Sequence, residues 1–334
     1  MKKLIVFLAF TLSFLFSSKA QQYNYVKKIA GTSNDRCNDI VSDKAANIYF
    51  CGTFTGYLGI ANLLSLTSKN SDAFIVKMDT RSGKPLWAKG STGTSNEGAN
   101  AIAIDKSGNL YVAGVFNSNV KFDNTTTTGN GLENMFIAKF NPQGGLIWLK
   151  MAGGAAQTRV TPKDLKIGDD NNIYITGSLR GTVNFGNISV KSSNPNLNTS
   201  DVFVAKYDTS GTSIWINSFG KSGLSEGNGI ETDINGNIYV GGTHSDTLIA
   251  GSDTLVGNNF YRIFVLALDK NGKHRWLNRY TNLGGSANAV KMNNKGQIFV
   301  AGESNRNAFL MEIDTTDGKS KWFKETKNAY TSAK

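Results

Sequence analysis

Proline, cysteine and histidine are scarce in this chain, which has four Pro, two Cys and two His among 334 residues. Few prolines suit a protein whose backbone N–H groups are committed to sheet ladders. The histidines, His244 and His274, have no partner at a recognisable spacing, so nothing in the sequence favours a hydrolytic triad. The sequence therefore predicts no catalytic residue, no metal site and no cofactor.

Long apolar runs are also missing after the first twenty residues, so we expect no membrane span. Residues 1–20 resemble a secretory signal, with Lys2 and Lys3 before an apolar core at 4–16 and Ser18-Lys19-Ala20 at the cleavage position. The core is too short for a comfortable span. We expect cleavage near Ala20 and a secreted or periplasmic mature protein.

What is present is a repeat. Trp, Phe and Gly return together at nearly fixed intervals, and such a period decides architecture before any other signal. The Trp positions are 87, 148, 215, 276 and 322. The Phe series is Phe74, Phe136, Phe203, Phe264 and Phe309, and the Gly series is Gly52, Gly114, Gly177, Gly242 and Gly302. The sequence therefore predicts five units of about sixty residues over 21–334.

One unit reads as four strands and no helix. In the second unit, segments 100–105, 109–114, 135–140 and 146–150 are apolar, β-branched or aromatic and are separated by Gly-containing turns. Two hairpins of this size, repeated, are typical of a β-propeller blade, so the predicted fold class is all-β, with four-stranded antiparallel blades. The connection from the repeated Gly to the repeated Phe is much shorter in unit five, so we expect that connection to lie outside the core.

Three segments carry a family resemblance. Segments 236–242 (GNIYVGG), 181–186 (GTVNFG) and 201–215 (DVFVAKYDTSGTSIW) resemble the bacterial SBBP-type β-propeller repeat. Units one and five match less well, because Ala46-Asn47 and Gly296-Gln297 replace the Gly-Asn pair. The resemblance implies a secreted or surface propeller and supplies no catalytic motif.

The sequence allows two predictions of how the five units are arranged. Residues 23–26 occupy the repeat position of Trp87, so the chain offers one surplus outer strand. The first reading is a closed five-bladed ring and a monomer, because closure removes sheet edges that invite association. The alternative is an incomplete array or a larger propeller.

Two cysteines, Cys37 and Cys51, flank the first turn of unit one. Secretion favours a disulfide between them. Two free thiols are the other reading, with Cys51 in a slot that holds Ala113, Thr176 and Gly241 elsewhere.

The formal charge is +11, which favours anionic partners in general. The lysines recur at blade positions, as in Lys77, Lys139 and Lys206, which is typical of solvated strand edges. No nucleic-acid motif is present, so we expect no nucleic-acid partner.

Polar residues suggest two functions. Asn38, Asn100, Lys163, Asn228 and Asn288 precede the inner strands and could ring the channel mouth, where amides would bind a glycan or a peptide; the alternative is that they cap local turns. The sequence therefore predicts a non-catalytic binding or scaffold module for a protein or carbohydrate partner. The second hypothesis is a carbohydrate-active enzyme that uses Asp39, Asp164 and Glu231 around the channel.

Three turns begin with an aspartate, at Asp105, Asp208 and Asp269. They lack the alternating ligands of a calcium loop, so we expect these aspartates to cap the turns.

Overall fold

The computed structural model describes residues 28–31, 33–194, 196, 198–280 and 284–326. The predicted signal peptide, 1–20, and the surplus strand, 23–26, lie outside these residues. Every regular element among the described residues is a β-strand, so the all-β prediction is confirmed. No helix in this part of the chain is long and apolar enough to span a membrane.

The strands form five successive four-stranded antiparallel meanders, here called blades 1 to 5. Blade 1 consists of Arg36–Ser42, Asn47–Ile60, Leu64–Asp79 and Pro85–Gly90, and a short strand before it, Ile29–Gly31, pairs with its second strand. Blade 2 consists of Glu97–Ile104, Leu110–Phe116, Asn134–Phe140 and Leu146–Gly153. Blade 3 consists of Arg159–Ile167, Ile173–Arg180, Asp201–Tyr207 and Ser213–Phe219. Blade 4 consists of Ser225–Thr232, Ile238–His244, Arg262–Leu268 and His274–Arg279. Blade 5 consists of Gly285–Met292, Ile298–Ser304, Asn307–Ile313 and Ser320–Glu325.

The repeated Gly and Phe are cross-strand partners within each blade. Gly114 lies opposite Phe136 in the antiparallel register, and the other four pairs match it. A Cβ on Gly114 would lie 2.1 Å from the Gly98 carbonyl oxygen and 2.6 Å from the Phe136 ring. The repeated glycine is therefore fixed by close approach of the first strand and the aromatic ring.

The repeated Trp joins neighbouring blades. Trp87 Nε1 donates to the Pro142 carbonyl at 3.2 Å, and Trp148 Nε1 donates to that of Thr209 at 3.2 Å. Trp276 makes the corresponding bond to Thr315 at 3.4 Å. At three of the four junctions the outer strand of one blade is thus bonded to the outer turn of the next. Trp215 Nε1 makes no hydrogen bond among the described residues, and Trp322 Nε1 donates to Glu312 of its own blade at 2.9 Å.

The Asp-led turns are capped as predicted. Asp105 Oδ1 accepts hydrogen bonds from the backbone N–H of Ser107 and Asn109, both at 2.9 Å, and Asp105 Oδ2 accepts from the buried Tyr111 hydroxyl at 3.1 Å. Asp208 and Asp269 accept equivalent backbone bonds. All three carboxylates close turns, and Asp105 also holds Tyr111, so turn capping accounts for them.

The connections between the second and third strands are small hairpins at the blade margin. They are Asn119–Phe122 with Thr125–Thr128, Thr182–Phe185 with Ile188–Lys191, and Leu248–Ala250 with Asp253–Leu255. Blade 5 replaces the hairpin by a turn at Asn305 and Arg306, both with positive φ. The prediction that this connection lies outside the core is wrong for blades 2 to 4, because Phe122, Phe185 and Leu248 of these hairpins are buried in the core clusters.

Apolar clusters fill the junctions between successive blades. At the last junction, Tyr239, Val265 and Ala267 of blade 4 pack with Val290, Val300 and Met311 of blade 5. We call the face that meets the following blade the trailing face, and the face that meets the preceding blade the leading face. Clusters of the same kind join the earlier blades.

The two ends of the array are open among the described residues. Ile40, on the leading face of blade 1, is 59 % exposed, whereas Ile102, Leu165, Ile230 and Val290 at the same repeat position are at most 4 % exposed. Leu310, on the trailing face of blade 5, is 44 % exposed, whereas its counterparts Ile75, Ile137, Val204 and Val265 are at most 1 % exposed. The closure that we predicted for a five-bladed ring is therefore not seen here.

Candidate binding face

The five residues predicted to ring the channel mouth share one backbone feature. Each is the extra residue of a β-bulge in the first strand of its blade, where the register shifts by one. A bulge turns one side chain out of the regular ladder. The residues concerned are Asn38, Asn100, Lys163, Asn228 and Asn288.

Three of these asparagines bind the next blade. Asn38 Nδ2 donates to the Ala99 carbonyl at 2.8 Å, and Asn100 Nδ2 donates to that of Pro162 at 2.9 Å. Asn228 Nδ2 donates to the Ser286 hydroxyl at 2.9 Å and to the Ala287 carbonyl at 3.3 Å. The amides therefore link blades, a role that differs both from a free ligand-binding ring and from the local caps of the alternative.

The other two positions differ. Lys163 Nζ lies 3.5 Å from Glu226 Oε2 of blade 4, so an ion pair replaces the amide bond at that junction. Asn288 is exposed in blade 5, and no described residue accepts a hydrogen bond from its side chain.

We expect Asn100→Ala to lower the free energy of unfolding by about 1–2 kcal/mol, because the Pro162 carbonyl loses its side-chain donor at a packed junction. Asn288→Ala removes the same amide where it has no acceptor, and it should cost less than about 0.5 kcal/mol. Urea denaturation of both variants, at sub-micromolar protein, measures the difference. Equal losses in the two variants would contradict a between-blade role for Asn100.

The five positions fall into two cavities. Asn38, Asn100 and Lys163 line one cavity of about 860 Å³. Asn228 and Asn288 line a second of about 820 Å³ between blades 4 and 5. Only the first brings together more than two of the predicted residues.

The second cavity has an aromatic wall that the sequence reasoning missed. Phe260 and Tyr261 line it and are 65 % and 49 % exposed. Glu226, Asn305 and Arg306 line the same cavity. The available signal was the pair of adjacent aromatic residues that ends the long connection of unit four.

The carboxylates predicted for the enzyme hypothesis accept hydrogen bonds from the following blade. Asp39 Oδ2 accepts from the Ile102 N–H at 2.8 Å, and Asp164 Oδ2 accepts from that of Ile230 at 2.9 Å. Burial raises the pKa of Asp164 to about 6 and raises that of Asp39 as well. Glu231 Oε2 accepts from Met292 N–H at 3.4 Å. The position shared by Asp39 and Asp164 thus holds a cross-blade acceptor.

A second pair of acids, which the sequence reasoning missed, is buried where blades 1 and 2 meet. Asp72 and Glu97 are 4 % and 2 % exposed. Glu97 Oε2 accepts from the Ser91 hydroxyl at 2.8 Å and from Gly93 N–H at 3.3 Å. Burial, and then the neighbouring Glu97, raise the pKa of Asp72 to about 7. The pair is too deeply buried to meet a substrate.

The two cysteines are free thiols in the structure, which matches the second of the two expectations for them. Cys37 is exposed and Cys51 is buried, and their cross-strand partners are Gly52 and Asp39. Burial raises the pKa of both thiols, so neither has the low pKa of a reactive cysteine.

Both histidines contact oxygen atoms of their own unit. His244 is buried, with Nδ1 2.8 Å from the Asp246 carbonyl oxygen, and burial lowers its pKa. His274 Nε2 lies 3.1 Å from Asp253 Oδ2. Among the described residues there is no group of three or more His, Cys, Asp or Glu side chains placed to hold a metal ion.

Comparison with known proteins adds two distant relatives, and no protein-family model matches the chain. The uncharacterized WD repeat-containing protein L264 of Acanthamoeba polyphaga mimivirus is 26 % identical over 276 residues, which is 70 % of this chain and 20 % of that protein. Regulatory protein FlaEY of Caulobacter vibrioides is 24 % identical over 192 residues, which is 56 % of this chain and 20 % of that protein. The chain spans about a fifth of the length of these relatives.

Solved structures of similar shape include the Dos1 propeller, with 9 % identity, a TM-score of 0.46, and coverage of 91 % of this chain and 75 % of that one. A Bacteroides caccae protein of unknown function has 12 % identity and a TM-score of 0.42, covering 75 % of this chain and 68 % of that one. The repeated four-stranded sheets and the similarity to a WD-repeat protein together indicate a β-propeller repeat protein.

Proposed function

We propose that this chain is a non-catalytic binding module, an open array of five propeller blades that binds carbohydrate on its channel-mouth face. The observation that carries the proposal is the cavity between blades 4 and 5, where Phe260 and Tyr261 stand beside Glu226, Asn305 and Arg306. Residues 1–20 support export to the periplasm or beyond.

The chemistry of this cavity suits a sugar. Exposed aromatic rings provide flat apolar surface, and Tyr adds a hydroxyl at its rim. An amide, a carboxylate and a guanidinium nearby supply both donors and acceptors for sugar hydroxyls. A small number of polar groups around apolar surface is the usual composition of a ligand site.

The net charge of the mature protein affects which partners it meets. Removal of the segment 1–20, with Lys2, Lys3 and Lys19, reduces the formal charge from +11 to +8. A net positive surface draws anionic partners into encounter, and it does so less at high salt. The cavity itself is lined by Glu226, Glu303 and Arg306, so the net charge favours encounter with anionic surfaces and does not select an acidic sugar for this cavity.

Two observations support a role without catalysis. Asp39 and Asp164 accept backbone hydrogen bonds from the following blade. Asp72 and Glu97, although adjacent, are buried. A glycosidase needs two acids that face a sugar in an open site, and these four carboxylates are engaged in packing the blades.

The test is a glycan array with the wild-type protein and the double variant Phe260→Ala, Tyr261→Ala. We expect the double variant to bind at least about tenfold more weakly, because each lost ring removes stacking worth on the order of 1 kcal/mol. Val256→Ala is the matched control, since Val256 is 64 % exposed in the same connection and does not line the cavity.

Two results would contradict the proposal. Undiminished binding by the double variant would place the carbohydrate elsewhere on the molecule. If the protein bound no glycan on the array, a protein partner would be the favoured ligand instead.

A further inference from the structure

Blade 1 carries an open apolar groove of about 340 Å³ on its leading face. Its apolar lining includes Ile40, Ile48, Phe50, Phe74 and Met78, and all residues that line it belong to blade 1 or to the short strand and turn before it. In blade 5 the residues at the corresponding positions are Val290, Ile298, Val300, Phe309 and Ile313. These are buried against blade 4. Within the part of the chain that the structure describes, the groove is therefore a junction surface without its neighbour.

Blade 5 presents the complementary surface. Tyr239 and Val265 of blade 4 are fully buried at the last junction, whereas Phe299 and Leu310 at the same repeat positions of blade 5 are partly exposed. Ala301 is also partly exposed on this face. The trailing face of blade 5 thus has an aromatic and an aliphatic side chain, Phe299 and Leu310, at the positions where an aromatic and an aliphatic side chain cover every other leading face.

The four formed junctions show which residues would meet. A Cβ built on Gly241 of blade 4 lies 2.7 Å from Val290 Cγ2 and 3.1 Å from Ala287 Cβ of blade 5. By repeat position, Gly241 corresponds to Ala301, Val290 to Ile40, and Ala287 to Cys37. Ala301 is therefore the residue that would lie over Ile40.

Charge is complementary at the same junction. A Cβ built on Gly98 of blade 2 lies 2.7 Å from Thr53 Oγ1 of blade 1, so these two repeat positions face each other. Arg36 stands at the position of Gly98, and Glu303 at that of Thr53. Both Arg36 and Glu303 are exposed and unpaired with each other in the structure. A junction between blade 5 and blade 1 would bring an acid opposite a base.

The inner-strand amide adds a third match. Asn38, Asn100 and Asn228 each donate to a carbonyl at one repeat position of the next blade. Asn288 has the same bulged position without an acceptor among the described residues. The carbonyl that corresponds to those acceptors belongs to Cys37.

We propose that the trailing face of blade 5 binds the leading face of blade 1 of a second copy of this chain, so that the copies associate head to tail. A second copy is the occupant because it carries the face that matches in apolar character, charge and hydrogen bonding, and because no blade 5 residue lines the groove. Such heterologous contacts close into a ring or extend into a chain of copies. The expectation of a monomer rested on a closed ring and loses that support.

The proposal is tested by reversing the charge of Arg36 and of Glu303, which leaves the buried apolar side chains unchanged. Arg36→Glu and Glu303→Arg are each purified, and their mass is measured by light scattering across a concentration series, alone and mixed in equal amounts. Each single variant places like charges at every junction and should be monomeric at concentrations at which the wild type associates. In the mixture two kinds of junction carry opposite charges. In one, the arginine at position 303 of the Glu303→Arg variant faces the glutamate at position 36 of the Arg36→Glu variant. In the other, Glu303 and Arg36 face each other as in the wild type, so association should return.

Controls keep the result interpretable. Lys221→Glu changes an exposed charge away from both faces and should associate as the wild type does. Circular dichroism shows whether each variant keeps its sheets. A wild-type protein that stays monomeric at every concentration overturns the proposal. A mixture that stays monomeric while the wild type associates also overturns it, because the contact would then lie elsewhere.

Discussion

Gly114→Ala should destabilise the protein by about 3 kcal/mol or more, because overpacking a filled site costs about 1–3 kcal/mol and exceeds that range when backbone must move. The new methyl group would lie 2.1 Å from the Gly98 carbonyl oxygen and 2.6 Å from the Phe136 ring. Neither neighbour can yield easily, since Gly98 is held in a strand ladder and Phe136 is fully buried. The same clash recurs at the equivalent glycine of each blade.

Urea denaturation measures this loss against Gly296→Ala. No atom lies within 4 Å of a Cβ at Gly296, but its φ of +77° is unfavourable for alanine. The control should therefore cost only about 1 kcal/mol, from backbone conformation alone. If the two variants unfolded at the same urea concentration, close approach would not be the reason for the repeated glycine.

Asp72→Asn should raise the free energy of unfolding by about 2 kcal/mol at pH 8 and change it little near pH 4. The pKa of Asp72 is raised from 3.8 to about 7, so the folded protein holds a proton that the unfolded chain releases as the pH rises above that lower value. The stability that this proton contributes is full below pH 3.8 and is lost as pH rises through about 7. At pH 8 two buried carboxylates face each other, and asparagine removes one of the charges.

Blade 3 offers a matched control, because Asp201 occupies the repeat position of Asp72 and Asn134 occupies it in blade 2. Asp201 Oδ2 accepts hydrogen bonds from Ser193 N–H at 2.6 Å, the Ser193 hydroxyl at 2.8 Å and the Ser218 hydroxyl at 3.1 Å. Asp201→Asn should therefore destabilise the protein at both pH values, since these donors lose a charged acceptor. Urea curves at pH 4 and pH 8 separate the two cases. A loss of stability in Asp72→Asn at pH 8 would refute the account of the acid pair.

The five units and their four strands could be predicted from the sequence because the repeated Gly and Phe, and the turn aspartates, make their contacts inside their own unit. Gly114 and Phe136 meet within one sheet, and Asp105 caps a turn in the same hairpin. Local spacing is enough to reveal such contacts.

The roles of Trp87 and Asn100 could not be predicted in the same way. Their partners are the carbonyls of Pro142 and Pro162, which lie in the following unit. Because every residue has a backbone carbonyl, the acceptor of such a hydrogen bond requires no particular residue type and cannot be identified from the sequence. The wall formed by Phe260 and Tyr261 has no counterpart in other units, and a search for repeated positions passes over it.

Ring closure also lies outside what the sequence specifies residue by residue. It depends on the rotation from each blade to the next, summed around the array. A small difference in that rotation, spread over every junction, decides whether the ends meet, and no single side chain records it.

The directional bonds between blades have a consequence for how such chains change in evolution. At the first two junctions the amide of the inner strand and the indole of the outer strand both donate from one blade to the next, and their acceptors are backbone carbonyls. A duplicated or deleted unit therefore finds the acceptors of these hydrogen bonds already in place, because a backbone carbonyl is present whatever the side chain. Copy number can drift by recombination between repeats while each junction stays intact, so relatives with different numbers of blades can arise without a new interface.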